Sequence, residues 1–328
     1  MGLFEEATAL ATWKKIVFVV VLCCFIATST ILTFYSIARD TFEYEYQENI
    51  ADIEGFNGYV FYGFNGNTST TTVYVDYVRD EDGENPDETK PIVAVTDFTI
   101  VSDEYVEYIY ISDTVQYIDA SAFYYCKCLR AIFVDEDNEY YTSVNGVLYN
   151  KDMTEIILRP ICNGTYQTDE GLTDDSTYFV IPDTVTRIGN YCFYKCTDII
   201  QIEIPDSVTE IGDMAFFACS NLWTVTLPEN LQSIGADAFS YCTAMYPVMY
   251  IPASVTEIGD YAFYACSNLF VFYMGAESEE DIELGERWLP KSIAFLFLYV
   301  APEAEYGKTY EEAVEMKAAI EAGEVEVG

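Results

Sequence analysis

Ile204–Leu222 reads IPDSVTEIGDMAFFACSNL, and the same phrase returns along the chain. It appears as IPDTVTRIGNYCFYKCTDI from Ile181, LPENLQSIGADAFSYCTAM from Leu227 and IPASVTEIGDYAFYACSNL from Ile251. Matched positions fall into columns: Gly189, Gly212, Gly235 and Gly259, then Phe193, Phe216, Phe239 and Phe263, then Cys196, Cys219, Cys242 and Cys266. The steps are 23, 23 and 24 residues. A period in the twenties marks units too small to bury an apolar side alone, so each stacks that side on the next. A fifth copy, ISDTVQYIDASAFYYCKCL, starts at Ile111 with Asp119 in the glycine column. A worn copy precedes it, with Val95 and Phe98 in the apolar positions.

Within one unit, IIQIEIP (Ile199 to Pro205) alternates apolar and polar residues, the period of a strand with one buried face. Its proline ends the strand because it has no N–H for a ladder. SVTEIG supplies a second short extended piece, with Gly212 expected to take a positive-φ turn. DMAFFAC is too brief for more than a helical turn and should drop Phe216 and Cys219 inward. Stacked at roughly 4.8 Å per coil, like positions then form ladders of Phe, Ile and Cys.

The repeated pattern I-P-x-x-V-x-x-I-G-x-x-A-F-x-x-C-x-x-L resembles the BspA-type bacterial leucine-rich repeat. Val134 to Pro160, with NGVLYNKD at Asn145 to Asp152, is similar to the longer hairpin-bearing unit of that family, and FYMGAESEED with SIAFLFLYV to its closing unit. The resemblance covers about residues 91 to 300. It implies a mainly β, right-handed leucine-rich-repeat solenoid of parallel strands, exposed on a surface or secreted, and a role in adhesion or partner binding with no common catalytic site.

Residues 39–90 are expected to form an N-terminal cap and an acidic loop, with Asp40 to Val78 over the first coil and Arg79 to Pro91 as the loop. At the other end, residues 301–328 form a helical tail or cap. TYEEAVEMKAAIEAG carries Thr309 and Glu312 in capping-box spacing and stops at Gly323.

The first forty residues predict an anchor. Ile16 to Ile37 contain no charge, and as a helix they would span roughly 33 Å, enough for a hydrocarbon core. One transmembrane helix at 16–38 follows a cytoplasmic tail at 1–15. Lys14 and Lys15 on the near flank place the N-terminus in the cytoplasm and the C-terminal domain outside the cell. The rival is a cleaved signal peptide with Ser36 and Ala38 at its site. A lipoprotein is disfavoured because Leu22 precedes Cys23, and LPKS at Leu289 lacks the Thr-Gly of a wall-sorting motif.

Composition excludes several classes. Fifteen Lys and Arg against fifty-five Asp and Glu give a net charge of -40, which repels nucleic acid. There is no histidine, which removes Ser-His-Asp and Cys-His catalysis and imidazole ligation of metals. No cofactor or metal is expected. Paired carboxylates could in principle hydrolyse glycosides, yet nothing singles two out of fifty-five. The acidic stretches around Asp80 and Asp82 and from Asp135 to Glu139 lack calcium-loop spacing and read as solvated turns. Interior cysteines behave as small apolar groups. A disulfide among Cys126, Cys128, Cys162 and Cys192 stays open.

The outward positions of the main strands are the candidate binding residues. With Ile202 and Ile204 inward, Gln201 and Glu203 point out, and their counterparts are Thr224 and Thr226, Val248 and Tyr250, and Val271 and Tyr273. Tyr110 and Phe133 carry the line into the first full coil. Such a strip of aromatic and small polar groups suits a protein edge or a flat sugar, although Tyr and Phe also simply suit strands. The reading is a membrane-anchored adhesion or protein- and glycan-binding protein with no enzymatic role, acting on a partner on another cell, in the matrix or in a membrane complex. The alternatives are a passive scaffold or membrane-complex subunit, and a carboxylate-based glycan-active enzyme.

Overall fold

The computed structural model describes residues 41–47, 57–65, 71–79, 86–96, 105–123, 126–163, 167–168, 171–172, 177–269, 271–275, 282–289 and 296–299. The expected membrane span Ile16 to Ile37 and the expected helix from Thr309 to Gly323 lie outside them, as do Phe98 and the acidic stretch around Asp80 and Asp82. Among the described residues no helix is long and apolar enough to cross a membrane. The chain there is mainly β, its repeats joined by parallel strands and its one short helix a 3-10 turn at Ala120–Phe123.

Each regular unit contributes a longer and a shorter strand that pair in parallel with counterparts in neighbouring units, the longer ones in sets of three. Gln201–Glu203 lies between Tyr178–Val180 and Thr224–Thr226, with Ile202 opposite Phe179 and Val225. The shorter strands make a second ladder in which Ile188, Ile211, Ile234, Ile258 and Leu284 are successive partners. Alternation decides the faces: Ile202 and Ile204 are buried while Gln201 and Glu203 are exposed.

The Phe-x-x-Cys segment closes each coil without becoming a helix. Tyr191, Phe193 and Lys195 donate their N–H groups forward to Asp213, Ala215 and Phe217, while Cys192, Tyr194 and Cys196 donate three residues back. This alternation requires left-handed backbone at the first and last of the forward donors, with φ 58° at Tyr191 and 57° at Lys195. The pattern recurs at Met214 and Ala218, Asp237 and Tyr241, and Tyr261 and Ala265. Such φ values cost non-glycine residues energy; in the first three of these copies every N–H of the segment thereby finds an acceptor, which offsets the cost.

The glycine column has a different cause from the one expected. Gly212 is not left-handed. A Cβ there would lie 2.8 Å from Asn190 N and 2.9 Å from the Gly189 carbonyl carbon, so the column is glycine because adjacent coils approach too closely for a side chain. Where the residue after the glycine is Asn or Asp, as at Asn190, Asp213 and Asp260, its side chain bridges the same gap; Ala236 has none to do so. Asn190 Oδ1 accepts from Asp213 N at 2.9 Å, and Asp213 Oδ1 from Ala236 N at 2.7 Å.

Inside, Phe193, Phe216, Phe239 and Phe263 are buried and stack with centroids 4.9, 5.0 and 5.3 Å apart and rings within 8° of parallel. The spacing follows the strand separation. The interior is nonetheless divided. One apolar cluster runs from Val147 to Trp288 and contains these four rings. Another runs from Phe61 to Leu158 and contains Phe123. They meet at the hairpin unit, where Leu148 serves one and Val147 and Tyr149 the other. That hairpin pairs Tyr141–Val144 with Val147–Asn150 across Asn145 and Gly146, whose φ values of 52° and 73° are those of a type I′ turn.

At the N-terminal end the structure departs from the expected loop. Pro86–Val95 is one strand, antiparallel to Tyr77–Arg79 and parallel to Gly58–Asn65, so the last six residues of the stretch Arg79 to Pro91 are extended. Proline tolerates this at a strand's first residue, and Asp87 braces the charged edge by accepting from Thr89 Oγ1 at 2.6 Å and pairing with Lys90 at 2.9 Å. Phe61, Ile92 and Val95 join the core of the first coils.

Candidate functional site

The candidate residues of the long strands fall on three separate three-stranded sheets. In the first, Thr72–Val75, Tyr108–Ile111 and Ala131–Val134 set Tyr74, Tyr110 and Phe133 directly opposite one another. Period-two alternation sends Val73, Val75, Ile109 and Ile111 into the core and these three rings outward. The rings stack: Tyr74 on Tyr110 at 4.9 Å and 17°, Tyr110 on Phe133 at 4.9 Å and 26°. Tyr74 is 49% and Tyr110 39% exposed, so the stack presents flat aromatic surface to water. The Glu107–Arg130 pair at 3.1 Å flanks the same strands.

The second sheet is more polar. Tyr178, Gln201 and Thr224 share one row, and Val180, Glu203 and Thr226 the next. Tyr178 Oη donates to Glu203, which occupies that carboxylate. In the third sheet Val248 lies opposite Val271 and Tyr250 opposite Tyr273, in backbone register with Leu296 and Leu298.

The ten candidate residues therefore do not form one unbroken strip. The hairpin covers the far edge of Ala131–Val134, with Ile132 N donating to Gly146 O at 2.9 Å and Val134 N to Ser143 Oγ at 3.0 Å. Phe133 is thus parted from Tyr178. Between the second and third sheets stands Pro247, which counted from the cysteine column falls where Thr224 does one unit earlier, just before its strand counterpart Val248; Thr224 N donates to Ile200 O at 3.2 Å, whereas proline has no N–H to give.

Sequence reasoning missed two features. Tyr74 belongs to the first ladder but precedes the recognisable repeats, and only the alternation in TTTVYVDYV hinted at it. A second aromatic row runs over the Phe-x-x-Cys side: Tyr194 stacks on Phe217 at 5.3 Å and 8°, and Phe217, Tyr241 and Tyr264 follow at 5.3 and 5.8 Å. An aromatic directly after the column phenylalanine in four of five copies was its signal. Beside that row, burial pushes Asp237 up, with Asp213 and Asp260 adding to the shift.

Other candidates resolve into structure. Cys219, Cys242 and Cys266 are buried and donate to the carbonyls of Phe193, Phe216 and Phe239 at 3.0, 3.1 and 3.0 Å. Burial pushes Cys196 up to about 11 and Cys266 up to about 12, and holds Cys192, Cys219 and Cys242 well above the ordinary thiol range. Thiols so protonated are poor nucleophiles and ligands. The Asp135 to Glu139 turn is built around the buried Asn138, whose amide donates to Ser112 O at 2.7 Å and Val115 O at 2.9 Å and accepts from Tyr140 N and Tyr141 N, both at 2.8 Å. Among the described residues no three Cys, Asp or Glu converge as metal ligands. An open depression of about 620 Å³ lies over Asp206, Ser207, Asn230 and Ser254. Its hydroxyls already serve the backbone, Ser207 Oγ to Val185 O at 2.7 Å and Ser254 Oγ to Leu231 O at 2.6 Å.

Known proteins match this arrangement. The sequence profile of the BspA type leucine-rich repeat region fits residues 97–164 and 172–282, in six copies, more than half of the chain. The chain belongs to the BspA-type leucine-rich repeat family. No curated protein matches it. Among solved structures, a leucine-rich repeat protein from Eubacterium ventriosum is 23% identical with a TM-score of 0.44, covering 65% of this chain and 55% of that one. The pneumococcal vaccine antigen PcpA is 19% identical with a TM-score of 0.46, over 65% and 54%. A leucine-rich cell surface protein from Faecalibacterium prausnitzii is 21% identical with a TM-score of 0.48, over 68% and 60%. The chain thus spans little more than half the length of these relatives.

Proposed function

We propose that this BspA-type repeat protein is a membrane-anchored, surface-exposed binding module that engages a protein or glycan through its outward aromatic faces and performs no chemistry. In this reading Ile16 to Ile37 anchors the chain with its N-terminus in the cytoplasm, and residues 91–300 form a right-handed solenoid outside the cell between an N-terminal cap at 39–90 and a C-terminal cap at 301–328. The handedness follows the strong preference for right-handed crossovers between parallel strands. The observation that carries the binding role is the solvent-facing Tyr74, Tyr110 and Phe133 stack. Three rings held rigid at strand spacing offer apolar area at little entropic cost, a common basis for both sugar stacking and protein hot spots.

The test is binding of the detergent-solubilised full chain to arrays of glycans and matrix proteins, repeated with the Tyr74→Ser/Tyr110→Ser double variant. The expectation is saturable binding that weakens at least about tenfold in the variant, one good aromatic contact's worth, while the melting temperature stays nearly unchanged. Binding that survives the double substitution would remove this face from the proposal. Absence of any array binding, with membrane proteins co-purifying instead, would favour the passive scaffold.

A further inference from the structure

We propose that Cys128 and Cys162 are a disulfide-forming pair, oxidised by a low-molecular-weight disulfide, which locks the hairpin unit onto the coil before it. Of the described cysteines these two alone are partly exposed; the other six are buried. They lie far apart in sequence but on touching segments. Cys162 N donates to Leu129 O at 2.8 Å, and Asn163 Nδ2 donates to Arg130 O at 3.0 Å, so residues 162 and 163 are clamped over residues 127 to 130. Cys162 Sγ itself sits 3.4 Å from Lys127 O, the carbonyl of the peptide that leads into Cys128. A sulfur over that peptide is within the reach of a disulfide to the next residue's Cβ, given the usual 4.4 to 6.8 Å between bridged Cα atoms. Cys128 is also near enough to add to the upward push that burial gives the Cys162 thiol.

The reaction balances as two exchanges. One cysteine thiolate attacks a sulfur of the small disulfide, whose S–S bond breaks to release one thiol and leave a mixed disulfide. The second cysteine thiolate then attacks the protein-bound sulfur and releases the other small thiol. Two protein S–H bonds are lost, one S–S bond is made, and the small disulfide is reduced to two thiols that carry the protons.

The position explains what the link would do. The loop it closes holds the whole hairpin and Arg159, and this is where the two apolar clusters meet. Arg159 is buried there, its side chain 1% exposed, with a bidentate pair to Asp198 at 3.0 and 2.6 Å and its Nε without a partner. It lines a cavity of about 20 Å³ together with Phe123, Cys126 and Tyr194. A seam with a void and an unsatisfied donor is where neighbouring repeats separate most readily, and a covalent tie across it removes that opening.

The proposal concerns the chemistry of the pair and does not depend on the surface reading. The full chain is incubated with oxidised glutathione, alkylated with N-ethylmaleimide, digested without reduction and mapped by mass spectrometry. The expected result is a Cys128 to Cys162 linked peptide and a melting temperature about 5 °C higher that reverts on reduction. Cys128→Ser and Cys162→Ser should each abolish the reversible shift and leave the remaining cysteine as its glutathione adduct or, where unreacted, open to alkylation. Alkylation of both cysteines in the oxidised wild-type chain, stable glutathione adducts on both, linked dimers, or bridges to Cys126 or Cys192 would each overturn the proposal, and the wild-type map decides it even if a variant fails to fold.

Discussion

Replacing Gly235 by alanine should destabilise the stack by about 2–3 kcal/mol, and asparagine should be no better. The Cβ of residue 235 would meet Asp213 N, Asp213 Oδ1 and the Gly212 carbonyl carbon, all at 2.6 Å, where ordinary contact begins at 3.4 Å. Two of those atoms are backbone and cannot rotate away. The coils would have to part, stretching the bonds from Gly235 N to Ile211 O at 2.8 Å and from Ala236 N to Asp213 Oδ1 at 2.7 Å. Overpacking costs about 1–3 kcal/mol and a weakened hydrogen bond about 1 kcal/mol, less about 0.5 kcal/mol for a stiffer unfolded chain. Urea unfolding gives the free energy, and hydrogen exchange at residues 235 to 242 locates it. Asparagine discriminates between causes, because it tolerates left-handed backbone better than alanine. A Gly235→Ala change within about 0.5 kcal/mol of wild type, or a clear advantage for Gly235→Asn, would refute the steric argument.

Phe216→Ala removes a ring stacked on both sides and should cost about 3–5 kcal/mol in urea unfolding. Asp198→Ala leaves the Arg159 guanidinium buried with no carboxylate, which should cost about 3 kcal/mol; a denaturation midpoint equal to wild type would mean that the pair carries no such weight. Alkaline pH should weaken the fold. The interior thiols hold their protons more tightly when folded than unfolded, so stability is full below the ordinary thiol range near pH 9 and declines towards the folded values of about 11 for Cys196 and about 12 for Cys266. Thermal melts at pH 8 and 10.5 measure this, and Cys266→Ala should shrink the difference between them.

What the sequence made legible was whatever repeats. The columns of Phe, Ile and Cys identify buried positions because a period aligns like environments, and the structure buries them. The hairpin was legible only through the family resemblance of Val134 to Pro160, and the structure places its turn at Asn145 and Gly146. The glycine column was visible but its reason was not: a missing side chain in a sequence does not say whether backbone angle or a neighbour forbids it. Nor could the period say where a ladder stops. Only the positions of the hairpin edge and of Pro247 show that Phe133, Gln201 and Tyr250 belong to three sheets. Nothing in the sequence marks Arg159 as buried, because its partner Asp198, 39 residues on, is brought to it by the stacking of units.

The close coil spacing also constrains how such a gene can change length. Losing one whole phrase would set Ile188 against Ile234 and Phe193 against Phe239, the same residue types that already face one another. The protein would come out one rung shorter with its seams intact. A cut of any other length would put side chains into the glycine gap, so inheritance favours whole-number edits.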